Sequence, residues 1–212
     1  KLTKNYKAIL FDFDGVLGRT LEDNFNAWAH ALVLEGVPIT CEEYYLLEGA
    51  TTVQVAEYFL AKHKKDPGLI PRVVDEKEKY YLEHNSFMFY DGAEGLVARI
   101  RMSPIQIGLV SGAGLGRLST TCGKEFLEMF NTVVTGEDLN RGKPAPDPYL
   151  RAAERLAVHP GECLVIENAP LGIRAAKAAG MDCVAISSTL DKKHLQEADV
   201  VISDLGQLCS VS

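Results

Sequence analysis

The sequence predicts an α/β fold in which a parallel β-sheet is covered by helices and interrupted by a helical insertion. Six short apolar runs are spread along the chain, and most are continuous rather than alternating, as expected of strands buried on both faces. Helix-like segments separate the later runs, which is the pattern of repeated β-α-β units. By contrast, residues 19–90 contain no convincing strand. The predicted strands are 7–12, 105–110, 132–135, 163–166, 182–186 and 199–202.

The stretch between the first two predicted strands indicates an inserted helical lobe. An ordinary crossover between parallel strands needs about a dozen residues or a few more, far fewer than are found here. Trp28 and Phe25 follow helical spacing with their apolar neighbours, which favours the core of this lobe over a platform for substrate. The helix-like segments are 21–34, 41–47, 53–62 and 72–85, with turns at Gly36-Val37-Pro38 and Asp66-Pro67-Gly68.

The clearest helix that covers the sheet is predicted at 169–179. Asn168 is expected to cap its first turn, Pro170 suits that turn, and Gly180 can end the helix. Its many alanine residues would let it pack closely on a sheet.

Composition limits the classes of function open to this chain. Of the 212 residues, 47% are apolar and 24% are charged, which is enough to bury a core and excludes a disordered chain. The formal net charge of −7 makes binding to nucleic acid or to an anionic membrane unfavourable. No apolar run approaches the roughly 20 residues of a membrane span, and the N-terminus lacks a signal-peptide cleavage pattern. Five cysteines without a C-x-x-C pair are expected to be reduced, and we predict a cytoplasmic protein.

Two aspartates mark the end of the first predicted strand. Asp12 and Asp14 stand two positions apart in an extended segment, so their carboxylates point to the same side, and Gly15 permits a sharp turn directly afterwards. The pair can therefore serve one site. The alternative is a strand end followed by an ordinary Asp-Gly turn.

A serine and three glycines follow the second predicted strand. Ser111, Gly112, Gly114 and Gly116 would place a hydroxyl and exposed backbone N–H groups ahead of a helix, which is the chemistry of a phosphate cradle. One alternative is a flexible loop. A dinucleotide-binding loop fits poorly, because Arg117 occupies the position of the third glycine in G-x-G-x-x-G.

A lysine and an acid–amide pair complete the set. Lys143 lies between Gly142 and Pro144, so its constrained backbone can deliver a positive charge to a fixed place, unless it is a solvated loop lysine. Glu167 and Asn168 end a predicted strand and offer oxygen atoms suited to a hard cation, unless they only cap the next helix. All four groups follow the carboxyl ends of predicted strands, where open α/β sheets bind ligands.

In this order, the motifs resemble those of the haloacid dehalogenase-like hydrolase superfamily, and in particular the subgroup of β-phosphoglucomutase and small sugar-phosphate and phosphoglycolate phosphatases. The motifs are D-x-D-G at 12–15, Ser-Gly at 111–112, G-K-P-A-P-D at 142–147 and Glu-Asn at 167–168, followed by G-I-R-A-A-K-A-A-G-M at 172–181. The resemblance implies a Rossmann-like parallel-sheet core formed by 1–18 and 91–212, with an inserted α-helical cap domain at 19–90.

The resemblance also implies a mechanism. Asp12 would attack phosphorus and form an aspartyl-phosphate, while Asp14 would protonate the leaving group and later deprotonate the hydrolytic water. Ser111 and Gly112 would bind the transferring phosphoryl group, and Lys143 would neutralise it together with Asp12.

Mg²⁺ is the cofactor that the resemblance implies. A phosphate dianion beside several carboxylates needs such a cation, because two carboxylates about 5 Å apart already repel by roughly 3 kcal/mol at an effective dielectric constant of about 20. The expected ligands are Asp12, the backbone carbonyl of Asp14, and the pair Glu167 and Asn168.

The sequence departs from the pattern of its relatives at two points of the core. Asn168 stands where many relatives have an acidic residue, which leaves open whether it or Glu167 ligates the metal directly. Arg19 stands near the expected substrate entrance, where it would either bind a second anionic group or point to solvent, and we favour solvent.

Two further departures favour hydrolysis over phosphoryl transfer between sugar positions. Sugar-phosphate mutases of the subgroup use a histidine at the position of Asn24 and an arginine in the cap loop, where Gly49-Ala50-Thr51-Thr52 contains none. We therefore predict a Mg²⁺-dependent phosphatase acting on a small phosphorylated metabolite such as a sugar phosphate, as a monomer or weak homodimer. The alternatives are a β-phosphoglucomutase-like mutase and a binding protein that has lost turnover.

Overall fold

A six-stranded, wholly parallel sheet forms the centre of the molecule. The structure is a computed structural model that describes residues 4–210. The strand order is β3-β2-β1-β4-β5-β6, which is the order of a Rossmann-like sheet, and it confirms the predicted α/β class. The strands are β1 Ala8–Phe11, β2 Gln106–Val110, β3 Thr132–Val134, β4 Cys163–Glu167, β5 Asp182–Ile186 and β6 Val200–Ile202.

The helices connect and cover these strands. Five of them, α1–α5, lie between β1 and β2 in the chain. The first four, α1–α4, form the helical insertion that the sequence predicts, and we call them the cap. The helices are α1 Leu21–Val33, α2 Cys41–Tyr45, α3 Thr52–Lys62, α4 Ile70–His84, α5 Ala93–Arg101, α6 Leu115–Cys122, α7 Lys124–Leu127, α8 Asp147–Leu156 and α9 Pro170–Ala178.

Each face of the sheet carries its own hydrophobic core. The neighbouring residues Leu10 and Phe11 lie in opposite cores, and so do Val165 and Ile166. One core is completed by α5–α7 and the other by α8 and α9. Because successive side chains of a strand point to opposite faces, both positions must be apolar, and this explains the continuous apolar runs of the sequence.

The cap has a separate core of its own. Trp28 and Leu32 of α1 pack with Phe59 of α3 and Val73 of α4. Trp28 is fully buried and Phe25 is partly buried against the same cluster, as their spacing predicts. The domain boundaries at 18/19 and 90/91 stay a prediction.

One end of α9 differs from the sequence prediction. The residue that caps α9 is Ala169, without a side-chain hydrogen bond, and the Asn168 side chain instead donates to Thr189 Oγ1 at 3.2 Å. The prediction that Asn168 caps this helix is therefore wrong, because its amide faces the edge of the sheet where β4 ends. Gly180 ends the helix with a φ of +74°, as expected.

Four of the five cysteines have side chains in the described part of the chain. Cys41, Cys122, Cys163 and Cys183 are free thiols, whereas the side chain of Cys209 lies outside the described residues. Within residues 4–210, none of the helices combines the length and apolarity needed to cross a membrane.

Candidate active site

A buried lysine joins two acids at the carboxyl edge of the sheet. Asp12 follows β1, and its backbone N–H donates to the carbonyl oxygen of Ile166 at 3.0 Å, which fixes it beside β4. The Nζ of Lys143 lies 2.6 Å from Asp12 Oδ1 and 2.6 Å from Glu167 Oε1. All three side chains are buried. The structure thus brings together three residues that the motifs predicted to share one site.

The electrostatics of this trio favour a positively charged lysine. Burial alone would lower the pKa of Lys143, but the Asp12 and Glu167 carboxylates outweigh it and raise that pKa. Burial raises the pKa of Asp12 to about 8; the Lys143 ammonium opposes this shift, whereas Glu167 and Asp14 add to it. Asp12 therefore depends on nearby cations to stay in its ionised, nucleophilic form.

Tyr149 and the start of the loop after β4 hold the third member of the trio. The Tyr149 hydroxyl donates to Glu167 Oε1 at 2.6 Å, and the backbone N–H of Asn168 donates to Glu167 Oε2 at 3.0 Å. A Cβ at Gly172 would overlap the Glu167 carboxylate, so α9 must present a glycine here. Glu167 is consequently fixed by α8, α9 and Lys143 together.

Asp14 occupies a second, distinct group of contacts. Its carboxylate accepts hydrogen bonds from Thr20 Oγ1 at 2.5 Å, Asn24 Nδ2 at 3.2 Å and Ser111 Oγ at 3.4 Å. Arg117 Nη2 donates to Asp14 Oδ2 at 2.8 Å, and Arg117 Nη1 donates to Oδ1 at 3.2 Å. This two-point contact between a guanidinium and a carboxylate orients the acid as well as pairing its charge.

The same contacts set the protonation of Asp14. Burial alone would raise the pKa of Asp14, but the Arg117 guanidinium and the Thr20 hydroxyl outweigh it, so the pKa lies below its ordinary value. In this arrangement Asp14 is an anion that can accept a proton.

Sequence reasoning missed the contribution of Arg117, which was noted only for breaking a glycine spacing. It also missed Lys77 of α4, which is buried and lies over the rings of Trp28 at 5.5 Å and Tyr81 at 5.2 Å. Burial lowers the pKa of Lys77 to about 8. The Nζ of Lys77 donates to Glu78 Oε1 at 2.9 Å. Two cations thus face the site from outside the predicted motifs.

Ser111 and the glycine loop lie directly under the cap. Ser111 Oγ accepts a hydrogen bond from the backbone N–H of Ala113 at 3.1 Å. A Cβ at Gly112 would lie 2.5 Å from the carbonyl oxygen of Ala50, and a Cβ at Gly142 would lie 2.7 Å from Thr51 Cγ2. These glycines therefore allow the loop 46–51, which we call the cap loop, to sit tightly on the core.

A small cavity remains between the cap and the core. Its volume is about 30 Å³, and its lining includes Asp12, Asp14, Glu48, Lys77 and Arg117. This volume holds about one or two water molecules. The cavity in this structure is therefore too small to hold a phosphorylated metabolite.

The oxygen atoms around this cavity fit a hard divalent cation. Asp12 Oδ2, Asn168 Oδ1 and Glu48 Oε1 are buried without a hydrogen-bond partner, and carboxylate and amide oxygens are ligands that Mg²⁺ accepts. Between residues 4 and 210, no three His, Cys, Asp or Glu side chains form a ready-made metal cluster. A cation here would therefore need the Asn168 amide and backbone oxygen as well as carboxylates. Ligation by Asp12, Asp14, Glu167 and Asn168 stays a prediction.

The remaining sequence departures have clear positions. Arg19 pairs with Asp91, with Nη2 to Oδ1 at 2.9 Å, and lies over the Tyr90 ring at 5.2 Å. It is half-exposed and does not line the small cavity. Asn24 donates to Asp14 Oδ1 at 3.2 Å, and Thr52 lines the cavity.

Comparison with known proteins agrees with this geometry. The model of the family described as haloacid dehalogenase-like hydrolase matches residues 9–186. The chain is 32% identical to validoxylamine A 7′-phosphate phosphatase of Streptomyces hygroscopicus subsp. limoneus, with 96% of each chain covered. It is 29% identical to β-phosphoglucomutase of Bacillus subtilis (strain 168), over 95% of this chain and 91% of that one. A crystal structure of β-phosphoglucomutase from Clostridium difficile matches with a TM-score of 0.83 at 25% identity, over 96% of this chain and 93% of that chain. The chain therefore belongs to the haloacid dehalogenase-like hydrolase family, in the subgroup of β-phosphoglucomutase and small phosphatases that its motifs predict.

Proposed function

We propose that this protein is a cytoplasmic, Mg²⁺-dependent phosphatase that hydrolyses a small phosphorylated metabolite of the sugar-phosphate class through an aspartyl-phosphate. The observation that carries the proposal is the pattern of contacts made by the two carboxylate oxygens of Asp12. Lys143 holds one oxygen of this carboxylate, and the other oxygen is buried at the cavity without a partner. The names of two relatives support the substrate class, since one is a validoxylamine A 7′-phosphate phosphatase and another is a β-phosphoglucomutase.

Asp12 Oδ2 is the proposed nucleophile. It forms a bond to phosphorus while the bond between phosphorus and the alkoxide of the substrate breaks. A proton from Asp14 goes to the leaving oxygen. Asp14 then takes a proton from the water that attacks the aspartyl-phosphate, which releases phosphate and restores Asp12.

The anionic Asp14 described here is suited to the second of these steps. Arg117 and Thr20 hold it as a base. Donation of a proton in the first step requires that the contact with Arg117 be weakened when substrate enters. The cap movement that admits the substrate supplies an occasion for this change.

Asp12, Asn168, the backbone carbonyl of Asp14 and Glu167 would hold the divalent cation. When bound, Mg²⁺ neutralises charge on the phosphoryl group and on Asp12. Lys143 contributes a second positive charge from the core side, and the loop of Ser111 and Gly112 offers the hydroxyl and N–H groups for phosphoryl oxygens.

Asp12→Asn tests the nucleophile. We expect it to abolish release of inorganic phosphate from p-nitrophenyl phosphate and from a panel of sugar phosphates, while circular dichroism shows an unchanged fold. EDTA should suppress turnover by the original protein, and added Mg²⁺ should restore it. Full turnover by Asp12→Asn would remove Asp12 from its role, and turnover in EDTA would contradict the cation requirement.

A mutase is the second candidate, because two of the related proteins are named β-phosphoglucomutase. The positions of Asn24 and Thr52 favour hydrolysis, since neither supplies the proton-transferring imidazole or the second phosphate ligand of a mutase. The same assay separates the two reactions. Hydrolysis releases inorganic phosphate without a bisphosphate activator, whereas a mutase transfers the phosphoryl group to a second hydroxyl and needs that activator.

A further inference from the structure

The cap loop places an unpaired carboxylate at the catalytic cavity. Glu48 is 4% exposed and lines the cavity together with Asp12 and Asp14. Its Oε1 has no hydrogen-bond partner, and its Oε2 has only a long contact of 3.5 Å with the Asn168 amide nitrogen. Across the described chain, residues 4–210, no lysine, arginine or histidine forms an ion pair with Glu48.

The surroundings of Glu48 make this arrangement costly without a cation. The nearby carboxylates Asp12, Asp14 and Glu167 carry charge of the same sign. The two closest cations are committed elsewhere, since Lys143 pairs with Asp12 and Glu167 while Arg117 pairs with Asp14. A desolvated carboxyl among like charges favours its protonated form unless a positive partner holds it as an anion, and the side chains present do not supply that partner.

Glu48 also lies beside Asn168, a core residue that brings no negative charge to the cation site. Asn168 is neutral at a place where the cation site would gain from a carboxylate, and the Asn168 side-chain amide contacts Glu48 Oε2 at 3.5 Å. Three of the buried oxygens that have no hydrogen-bond partner within residues 4–210 come from three separate elements: Asp12 Oδ2 after β1, Asn168 Oδ1 after β4, and Glu48 Oε1 from the cap loop.

We propose that Glu48, a residue of the cap loop, is a ligand for the divalent cation. Binding of the cation and closure of the cap are then coupled. This inference rests on the cation site of the proposed function. Glu48 is followed by Gly49, with a φ of +86°, where a Cβ would lie 3.0 Å from Lys143 Cδ. Glu48 therefore reaches the core only when the cap loop is seated on Lys143 and Gly112.

Coupling of this kind works in both directions. A cation that binds the closed form more tightly than the open form shifts the cap toward closure, by as much as the difference in affinity allows. Conversely, an open cap withdraws Glu48 and leaves a site formed by the core alone, with fewer ligands and weaker binding. The cation would thus help to hold the cap loop on the core.

Binding of Mn²⁺ in the absence of substrate tests the coupling on the full chain. Electron paramagnetic resonance measures the Mn²⁺ affinity, and hydrogen exchange measures protection of the cap-loop amides with and without Mn²⁺. We expect Glu48→Gln to weaken Mn²⁺ binding by at least about tenfold, comparable to the loss of a supporting group at a metal site, and to abolish the protection that Mn²⁺ gives to the cap loop. Glu57→Gln is the matched control, since Glu57 is an exposed acid of the same cap, and it should behave as the original protein.

The outcomes separate this inference from the proposed function. If the original protein binds no Mn²⁺, both the cation site and the role of Glu48 fail. If Glu48→Gln binds Mn²⁺ as tightly as the original protein with the same cap-loop protection, only the role of Glu48 fails. Glu48→Asp gives a second reading should Glu48→Gln not fold: a carboxylate shortened by one methylene should bind Mn²⁺ more weakly than Glu48 does, and equal binding would overturn the inference.

Discussion

The site has two sides that differ in how their charges are held. On the sheet side, Lys143 contacts Asp12 and Glu167 at equal distances, and each of these residues is fixed by a strand end or a buried helix. On the side that faces the cap, which we call the cap side, Arg117 projects from the core helix α6. Lys77 projects from α4 of the cap, and Glu48 projects from the cap loop. In the proposed mechanism, this difference would let the sheet edge supply the phosphoryl chemistry and let the cap side control access to it.

Removal of Lys143, on the sheet side, should have the largest effect on stability and turnover. Lys143→Met leaves the buried Asp12 and Glu167 carboxylates without their shared cation, which typically costs about 3–5 kcal/mol of unfolding free energy. Turnover should also be lost. Urea denaturation measures the free energy of unfolding, and a phosphate-release assay measures turnover.

Lys62→Met is the control for that measurement. Lys62 pairs with Glu43 at the half-exposed end of α3, where solvent screens the interaction, so its removal should leave the unfolding free energy nearly unchanged. A Lys143→Met protein as stable as Lys62→Met would show that the sheet side is not held by its charges.

The fold and the sheet side were predictable because they leave local signals in the sequence. Strands buried on both faces give continuous apolar runs, and parallel strands bring their carboxyl ends to one edge, so Asp12, Lys143 and Glu167 could be assigned to one site without any distance. The helical nature of the insertion followed from its length and from its lack of strands.

The cap side was not predictable, since its contacts depend on how two lobes meet. Arg117 and Glu48 carry no motif, and the Asn168 amide turns toward Thr189 and Glu48 instead of capping α9. Lys77 did leave a signal. It stands four residues from both Val73 and Tyr81 on the buried stripe of α4, and a lysine on an apolar stripe indicates an unusual environment.

Replacement of Arg117, on the cap side, should have a smaller effect than replacement of Lys143, and this effect should depend on pH. Arg117→Met removes two hydrogen bonds and the nearest positive charge from Asp14, so burial is opposed less strongly and the pKa of Asp14 rises. The steps that need anionic Asp14 should then require a higher pH, and the acidic limb of the kcat profile should move upward. Measurement of kcat against pH, with Arg117→Lys as the variant that keeps the charge, checks this expectation.

The stability of the same variant should depend on pH with a definite sign. A carboxyl whose pKa is depressed in the folded state contributes stability above its unfolded pKa of about 3.9, and that stability is lost as the pH falls through the folded value. The stability difference between the original protein and Arg117→Met should therefore be largest at neutral pH. It should shrink as the pH falls through the raised pKa of Asp14 in the variant toward the depressed pKa of Asp14 in the original protein. A difference that is constant with pH would show that Arg117 acts by packing on Tyr81 and not through Asp14.

Replacement of Lys77 should have the smallest and most selective effect on stability. The Lys77 ammonium contacts aromatic rings and Glu78 rather than the proposed reacting carboxylates. Burial lowers the pKa of Lys77 to about 8, so the folded state binds fewer protons than the unfolded state between about pH 8 and pH 10.4. The stability of the original protein should therefore gain from Lys77 as the pH rises through this window, and Lys77→Met should lack that gain. Denaturation at a series of pH values measures the difference, with Lys79→Met, at an exposed position of the same helix, as the control. If Lys77→Met and Lys79→Met give parallel curves, the cap side does not hold Lys77 as a desolvated cation, and the contrast between the two sides rests on Arg117 and Glu48 alone.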